Sequence, residues 1–300
     1  MTTASILSIA LGALSLVACT TRDSATFASP EEAVRRLMES GSDEAAAEEL
    51  LGAGGFALLL SGDEVADRQD LEAVTALIAE KLAFEELGQG RVLALLGNEG
   101  WELPIPLVNE GGRWRFDVEA GREEVLNRRV GRNELSTLAT LRELVAAQRE
   151  YAAEGRDGNP PAFAQRLLSS AGRHDGLYWP VAEGEPESPM GPLVAEAAAE
   201  GYRSGAAEPV PYHGYFYRLL TAQGANAPGG ARSYLDSQER LRGGWAVVAW
   251  PATYGNSGVM TFLVNQQGIV FQKDLGERTQ DAVSAIQAYD PDQSWTPTSD

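Results

Sequence analysis

The chain has 300 residues, 44% of them hydrophobic and 22% charged, with a formal net charge of −19. That length and apolar content suffice for a buried core, and a single cysteine excludes an intrachain disulfide. The acid excess is spread along the chain, −12 over residues 20–130 and −7 over 131–300. It repels phosphate backbones and anionic bilayers alike, so neither nucleic acid nor a polybasic membrane contact is expected.

The first 21 residues carry no charge, and an apolar run spans Ala4 to Val17. This is the length of a signal-peptide core and short for a membrane span, although no Lys or Arg precedes it. It ends in Leu16-Val17-Ala18-Cys19, which resembles the lipobox of bacterial lipoproteins, and the only cysteine of the chain falls on the position that motif requires. The resemblance implies cleavage before Cys19 and lipidation of its sulfur, with several acyl chains giving a stable anchor. Thr20 in the next position implies delivery to the outer membrane, facing the periplasm, under the sorting rule of enteric bacteria. The lipid is then the expected membrane attachment.

Ser29-Pro30-Glu31-Glu32 has the form of a helix start, with Ser29 as cap, proline in the first turn and Glu32 closing a capping box. Val34, Leu37 and Met38 continue it at helical spacing. Further helices are expected over Asp43–Leu51 and Asp67–Leu87, then strands over Arg91–Leu96, Trp101–Val108 and Arg113–Val118. Asn109-Glu110-Gly111-Gly112 joins the last two as a hairpin turn. Pro104 and Pro106 mark an edge or a bulge. Glu119–Val130 reads as helix, Gly131 as a break. A second, stronger helix follows from Asn133, with Leu135, Leu138, Leu141, Val145, Gln148 and Ala152 along one face.

Residues 131–300 hold 17 of the 23 aromatic side chains. A helix is expected near Pro192–Glu200, strands over Gly214–Leu220, Trp245–Trp250, Val259–Asn265 and Ile269–Lys273, and a last helix near Arg278–Tyr289. The fold class is α+β: a helical and β-meander part, then a long helix on an antiparallel, aromatic-rich sheet, a plan similar to that of pilin and pseudopilin subunits. The expected division is signal peptide 1–18, lipidated tether 19–29, an α+β domain 30–130 and a helix-plus-sheet domain 131–300.

Several phrases in combination carry a family resemblance. They are Ser29-Pro30-Glu31-Glu32-Ala33-Val34, Ser61-Gly62-Asp63, Leu103-Pro104-Ile105-Pro106-Leu107, Gly131-Arg132-Asn133-Glu134-Leu135 and Asp175-Gly176-Leu177-Tyr178-Trp179-Pro180. Later come His213-Gly214-Tyr215, the run Ala249 to Gly255, and Lys273-Asp274-Leu275-Gly276. Together they resemble domain-of-unknown-function family 2950, a group of exported bacterial proteins, over about residues 27–297. The resemblance implies an envelope location and a two-part architecture, and it implies no activity.

Motif chemistry is sparse. Two histidines, His174 and His213, and one cysteine do not make a zinc site, and no D-x-D-x-D-G calcium loop occurs, so no metal or cofactor is expected. Gly255-Asn256-Ser257-Gly258 is one residue short of a nucleophile elbow, and no glycine-rich phosphate loop is present. The candidate ligand-binding residues are Tyr178, Trp179, Tyr212, His213, Tyr215, Trp250 and Tyr254, rings set among turn residues that suit stacking on a glycan or gripping a peptide. Arg128, Arg129 and Arg132 are candidates for an anion site or for interdomain ion pairs. The expected function is a binding or scaffolding module with an envelope protein or a glycan as partner. The rivals are a hydrolase of cell-wall or glycan material and a pseudopilin-like assembly subunit.

Overall fold

The computed structural model describes residues 24–182, 184–200 and 210–299. Cys19, the apolar segment before it and residues 20–23 of the tether lie outside these residues. Among the described residues, no helix is long and apolar enough to cross a membrane.

Helix α1 (Pro30–Ser40) starts as its sequence dictates: the Ser29 hydroxyl accepts from the Glu32 amide at 3.2 Å, and the Glu32 carboxylate accepts from the Ala28 amide at 2.8 Å. Asp43 caps α2 (Glu44–Leu51), and the short α3 (Gly55–Leu59) follows. Helix α4 (Glu64–Glu80) begins at its Asp63 cap and stops seven residues earlier than the expected Leu87. The difference is tertiary. Residues Leu82–Gly88 form strand β1 because Leu82 and Phe84 sit opposite Leu96 and Ala94 of β2 (Arg91–Leu96). Strand β3 (Trp101–Glu102) ends before Pro104, and strand pairing resumes only at β4 (Leu107–Glu110), so the two prolines interrupt the expected single strand. The β4–β5 hairpin, with β5 at Arg113–Phe116, closes through Gly111 and Gly112, both at positive φ. This sheet runs β1-β2-β4-β5, with β3 added to β2.

Helix α5 (Val118–Ala152) is a continuous rod of 35 residues, about 50 Å at 1.5 Å per residue. Gly131 does not break it. One interior glycine costs a helix about 1 kcal/mol, and packing on both sides of it offsets that cost. Val125 and Leu126 pack on a core drawn from residues 27–116, while Leu141, Leu144, Val145 and Tyr151 belong to a second core reaching Trp295. The buried line is Asn133, Thr137, Thr140, Leu144 and Tyr151, flanked by Leu141, Val145 and Gln148. Leu135, expected on the buried face, is 70% exposed.

After α6 (Gly191–Glu200) come β6 (Tyr215–Leu220), β7 (Ala222–Gln223), β8 (Arg232–Ser233), β9 (Ala246–Pro251), β10 (Met260–Asn265), β11 (Phe271–Asp274), α7 (Thr279–Ala285) and β12 (Thr296–Pro297). The second sheet has the order β12-β11-β10-β9-β6 and is antiparallel throughout; β7 and β8 pair separately. Alternation along β6 assigns its faces. The Tyr217 hydroxyl donates to Thr137 Oγ1 of α5 at 3.4 Å, while Arg218 donates to the carbonyls of Val283 and Ile286 at the end of α7. Helix α7 ends at Ala285, short of the expected Tyr289, because the chain turns there to lay Tyr289 beside Gln223. The fold is mixed α+β, with helices and antiparallel sheets in both halves of the chain.

Candidate functional site

Two polar clusters stand out, and their chemistry differs. The first joins the two cores. Asp63 is buried; its Oδ1 accepts from the amides of Val65 and Ala66, capping α4, and its Oδ2 accepts from the Gly214 amide at 3.1 Å. Arg129 of α5, 7% exposed, donates to the Leu58 carbonyl at 2.7 Å, the Leu60 carbonyl at 3.0 Å and Asn256 Oδ1. Burial lowers its pKa from the ordinary arginine value, and the nearby carboxylates Asp67 and Asp70 oppose that shift. Asn133 donates to the Ser257 carbonyl at 2.9 Å, and Glu134 accepts from the amides of Val259 and Met260 at 3.0 and 2.9 Å.

At this junction Gly214 has φ +73°, and a Cβ there would lie 2.5 Å from Asn133 Nδ2. Only glycine fits both constraints. Tyr215 is fully buried, its hydroxyl donating to the Met260 carbonyl at 2.9 Å, and burial raises its pKa well above the usual tyrosine range. Burial likewise pushes Tyr217 up to about 12. Groups this enclosed and this fully partnered hold a structure in register; they offer little to a solute.

The second cluster is open. A cleft of about 500 Å³ lies between the C-terminal end of α5, the loop 153–176 and the turn 236–240. On its wall Asp157 faces His174, with Oδ1 2.9 Å from Nδ1 of the imidazole and Oδ2 accepting from the His174 amide at 2.9 Å. Those two bonds hold the Asp157 carboxyl below its usual pKa. The His174 ring lies edge-on to Trp179 at 4.6 Å, and the Tyr151 hydroxyl donates to the His174 carbonyl at 2.6 Å. Arg156 stacks on Tyr151 and Trp179, at 5.5 and 5.3 Å from the ring centroids. Asp175 accepts from the Ser170 amide and hydroxyl, and Asp236 Oδ2 accepts from both Nε and Nη2 of Arg240. Asp157 and Glu239 hold positive φ, an unusual conformation for non-glycine residues that this polar rim shares with Gln89 and His213.

The seven candidate ligand residues do not form one surface. Trp179 backs the cleft, and Tyr178 is bridged to Leu168 beside it. Tyr212, His213 and Tyr215 belong to the junction, where the Tyr212 and His213 rings lie 4.1 Å apart. Trp250 sits on the α7 face of the second sheet, stacked on Phe216 at 5.8 Å and donating to Gln280. The Tyr254 hydroxyl reaches Asp274 at 3.2 Å. Rings thus occur on both faces of β6 because a helix covers each face.

The three arginines are each engaged within the protein. Arg128 meets Glu124, the Glu102 carbonyl and the Trp101 ring; Arg132 makes a bidentate pair with Asp70 at 2.6 and 2.7 Å. Ser257 is fully buried and bonded to Thr253, remote in its contacts from Asp175, so the near-elbow is a turn. Among the described residues, no group of three or more His, Cys, Asp or Glu is placed to hold a metal ion.

Sequence reasoning missed Arg156, Asp157, Arg166 and Arg173 as site residues. A signal for them exists: Arg156-Asp157-Gly158 and Arg173-His174-Asp175-Gly176 both set a cation and an acid before a glycine turn, and the two turns meet at the cleft.

Comparison with known proteins gives a single result. The family described as "Protein of unknown function (DUF2950)" matches residues 24–298. No curated protein and no solved structure matches.

Proposed function

We propose, for a chain that belongs to the DUF2950 family, that it is a lipid-anchored, periplasm-facing envelope protein acting as a binding module, with its ligand seated in the cleft at the end of α5. One observation carries the binding reading. In a protein of net charge −19, the cleft sets four arginines and a histidine among four carboxylates around a preformed hollow and positions two of the cationic side chains against aromatic rings. Pockets with a few convergent polar groups on rigid walls are where small ligands bind. The lipid anchor rests on the lipobox at Cys19.

A photo-crosslinking residue placed at Gln165 or Gln238, on the cleft rim, should trap a discrete adduct in intact cells. The same residue at Arg278, an exposed position in α7's N-terminal turn, should not. Equal labelling from both positions removes the binding reading. For the anchor, Cys19→Ala should move the protein from the membrane pellet to the soluble fraction; retention in the pellet removes that part.

The Asp157–His174 pair supports a second reading as a hydrolase of cell-wall or glycan material. A carboxylate on Nδ1 orients an imidazole so that Nε2 can accept a proton from a nucleophile. Release of soluble fragments from purified cell wall, abolished by His174→Gln, is the expected sign; no release from wild type ends this reading. A third reading, a pseudopilin-like assembly subunit, draws on the long helix beside an antiparallel sheet and requires concentration-dependent self-association of the full chain.

A further inference from the structure

Three carboxylates at the cleft are committed within the protein. Asp157 spends one carboxylate oxygen on the His174 imidazole and the other on the His174 amide. Asp175 spends its two on the Ser170 amide and hydroxyl, at 2.7 and 2.9 Å. Asp236 is spent on Arg240 and on the amides of Gln238 and Arg240. These three carboxylates are engaged within their own loops, whereas Glu154 and Glu239, which also line the cleft, are exposed and accept no side-chain hydrogen bond among the described residues.

The donors are left over. Arg156 is fixed between two rings, yet its Nε–H is buried and has no acceptor, and its nearest carboxylate, Glu154, is 4.0 Å away. That Nε lies beneath the surface, so a solute in the cleft reaches Arg156 only through the exposed 24% of its side chain. Arg173 lines the cleft, and no ion pair among the described residues involves it. Arg166 uses one Nη on Ser170 Oγ, with Asp175 at 4.0 Å from its Nε. Asp157 occupies Nδ1 of His174, which leaves Nε2 as the ring nitrogen for a ligand.

We infer that the cleft binds an anionic group, a carboxylate or a phosphate borne on a larger polar ligand, with Arg156, Arg166 and Arg173 as its cationic contacts. The inference rests on the reading of the cleft as the ligand site and adds the ligand's chemical class. Because the whole protein repels anions at long range, selection here must come from short-range, geometrically matched hydrogen bonds. Guanidinium forks supply these in bidentate form to either anion, whereas an ammonium acts as a point charge; the cleft contains arginine and no lysine.

Calorimetric titration of the full chain, purified in detergent, tests this with three probes: inorganic phosphate, citrate and the neutral disaccharide diacetylchitobiose. Saturable binding of phosphate or citrate is expected. Loss of one charge-assisted contact should weaken it about tenfold or more in Arg173→Gln and in Arg156→Gln, and Arg278→Gln should leave it unchanged. Arg173 is exposed, so its variant remains informative even if Arg156→Gln disturbs the ring stack. Binding of phosphate alone identifies a phosphate-bearing ligand, and binding of citrate alone a carboxylate-bearing one. The inference falls if neither anion saturates below about 50 mM, if the arginine variants bind as wild type does, or if only the neutral sugar binds. Should the anions fail while cleft crosslinks in cells persist, the binding reading stands and the anion assignment alone is lost.

Discussion

The junction and the cleft are both polar clusters seated along α5, but they connect different distances of chain. At the junction, Asn133 bonds to Ser257, Asp63 to Gly214 and Asn256 to Leu60, separations of 124, 151 and 196 residues. At the cleft, Asp157 bonds to His174 across 17 residues and Asp175 to Ser170 across 5. Asp63, Arg129 and Asn133 are buried, so their bonds also cancel a desolvation cost. The cleft groups are partly solvated and brace short loops. The polar groups that fasten the two cores are enclosed and long-range, whereas the cleft's acids bond locally and are wet; the bond from Gln165 to the Glu239 carbonyl, across 74 residues, ties its two loops together.

The largest expected effect is at Arg129. Arg129→Met strands the Leu58 carbonyl and Asn256 Oδ1 without their donor, leaves the Leu60 carbonyl with Asn256 Nδ2 alone, and should destabilise the protein by about 3 kcal/mol in urea unfolding. A loss below about 1 kcal/mol would erase the contrast between junction and cleft. Gly214→Ala comes next, at about 2 kcal/mol, because it combines a positive φ with a Cβ 2.5 Å from Asn133 Nδ2. The double variant with Asn133→Ala should recover part of that loss by removing the clash; no recovery would place the cost in the backbone alone.

At the cleft, Asp157→Asn should cost less than about 1 kcal/mol of stability, since both partners are partly exposed. A cost as large as that of Arg129→Met would make the cleft a structural element and weaken its reading as a ligand site. The smallest effect is a titration. Hydrogen bonds from the Arg240 backbone and side chain lower the Asp236 carboxyl to about 2. Its folded pKa lies below the unfolded value of about 3.9, so its stabilising contribution is present above that value and is lost as pH falls toward 2. Carboxyl chemical shifts followed by NMR should give a midpoint near 2 for Asp236; a midpoint near 4 would mean that the Arg240 pair is absent in solution.

Much of the secondary structure was legible because its signals are local. Ser29, Pro30 and Glu32 place the start of α1 within one turn, and Gly111-Gly112 places a hairpin without reference to anything distant. The errors lie where distant contacts outweigh local preference. Leu82–Gly88 continues a plausible helix, yet pairing with β2 turns it into a strand. Gly131 signals a break, yet cores on either side of it keep α5 continuous. Leu135 fits an apolar stripe, but the sheet meets α5 along Asn133 and Thr137, polar residues whose burial depends on partners more than a hundred residues ahead or, for Thr137, on Tyr217.

The candidate site was less legible than the fold. Aromatic residues were visible as a class, but which share a surface depends on strand register and helix placement, and these scatter them over the cleft wall, the junction and the α7 face. The sequence by itself determined the family, the mixed α+β class, the acid excess and the caps and turns that begin and end individual elements, because composition and short-range backbone chemistry carry that information. Only the tertiary structure decided that α5 is one rod, that Arg129 and Asp63 are buried fastenings, and that two cation-acid-glycine turns meet to form a cleft. Each of these outcomes depends on contacts between segments that are not adjacent in the chain, and the free energy of such contacts is not contained in any local stretch.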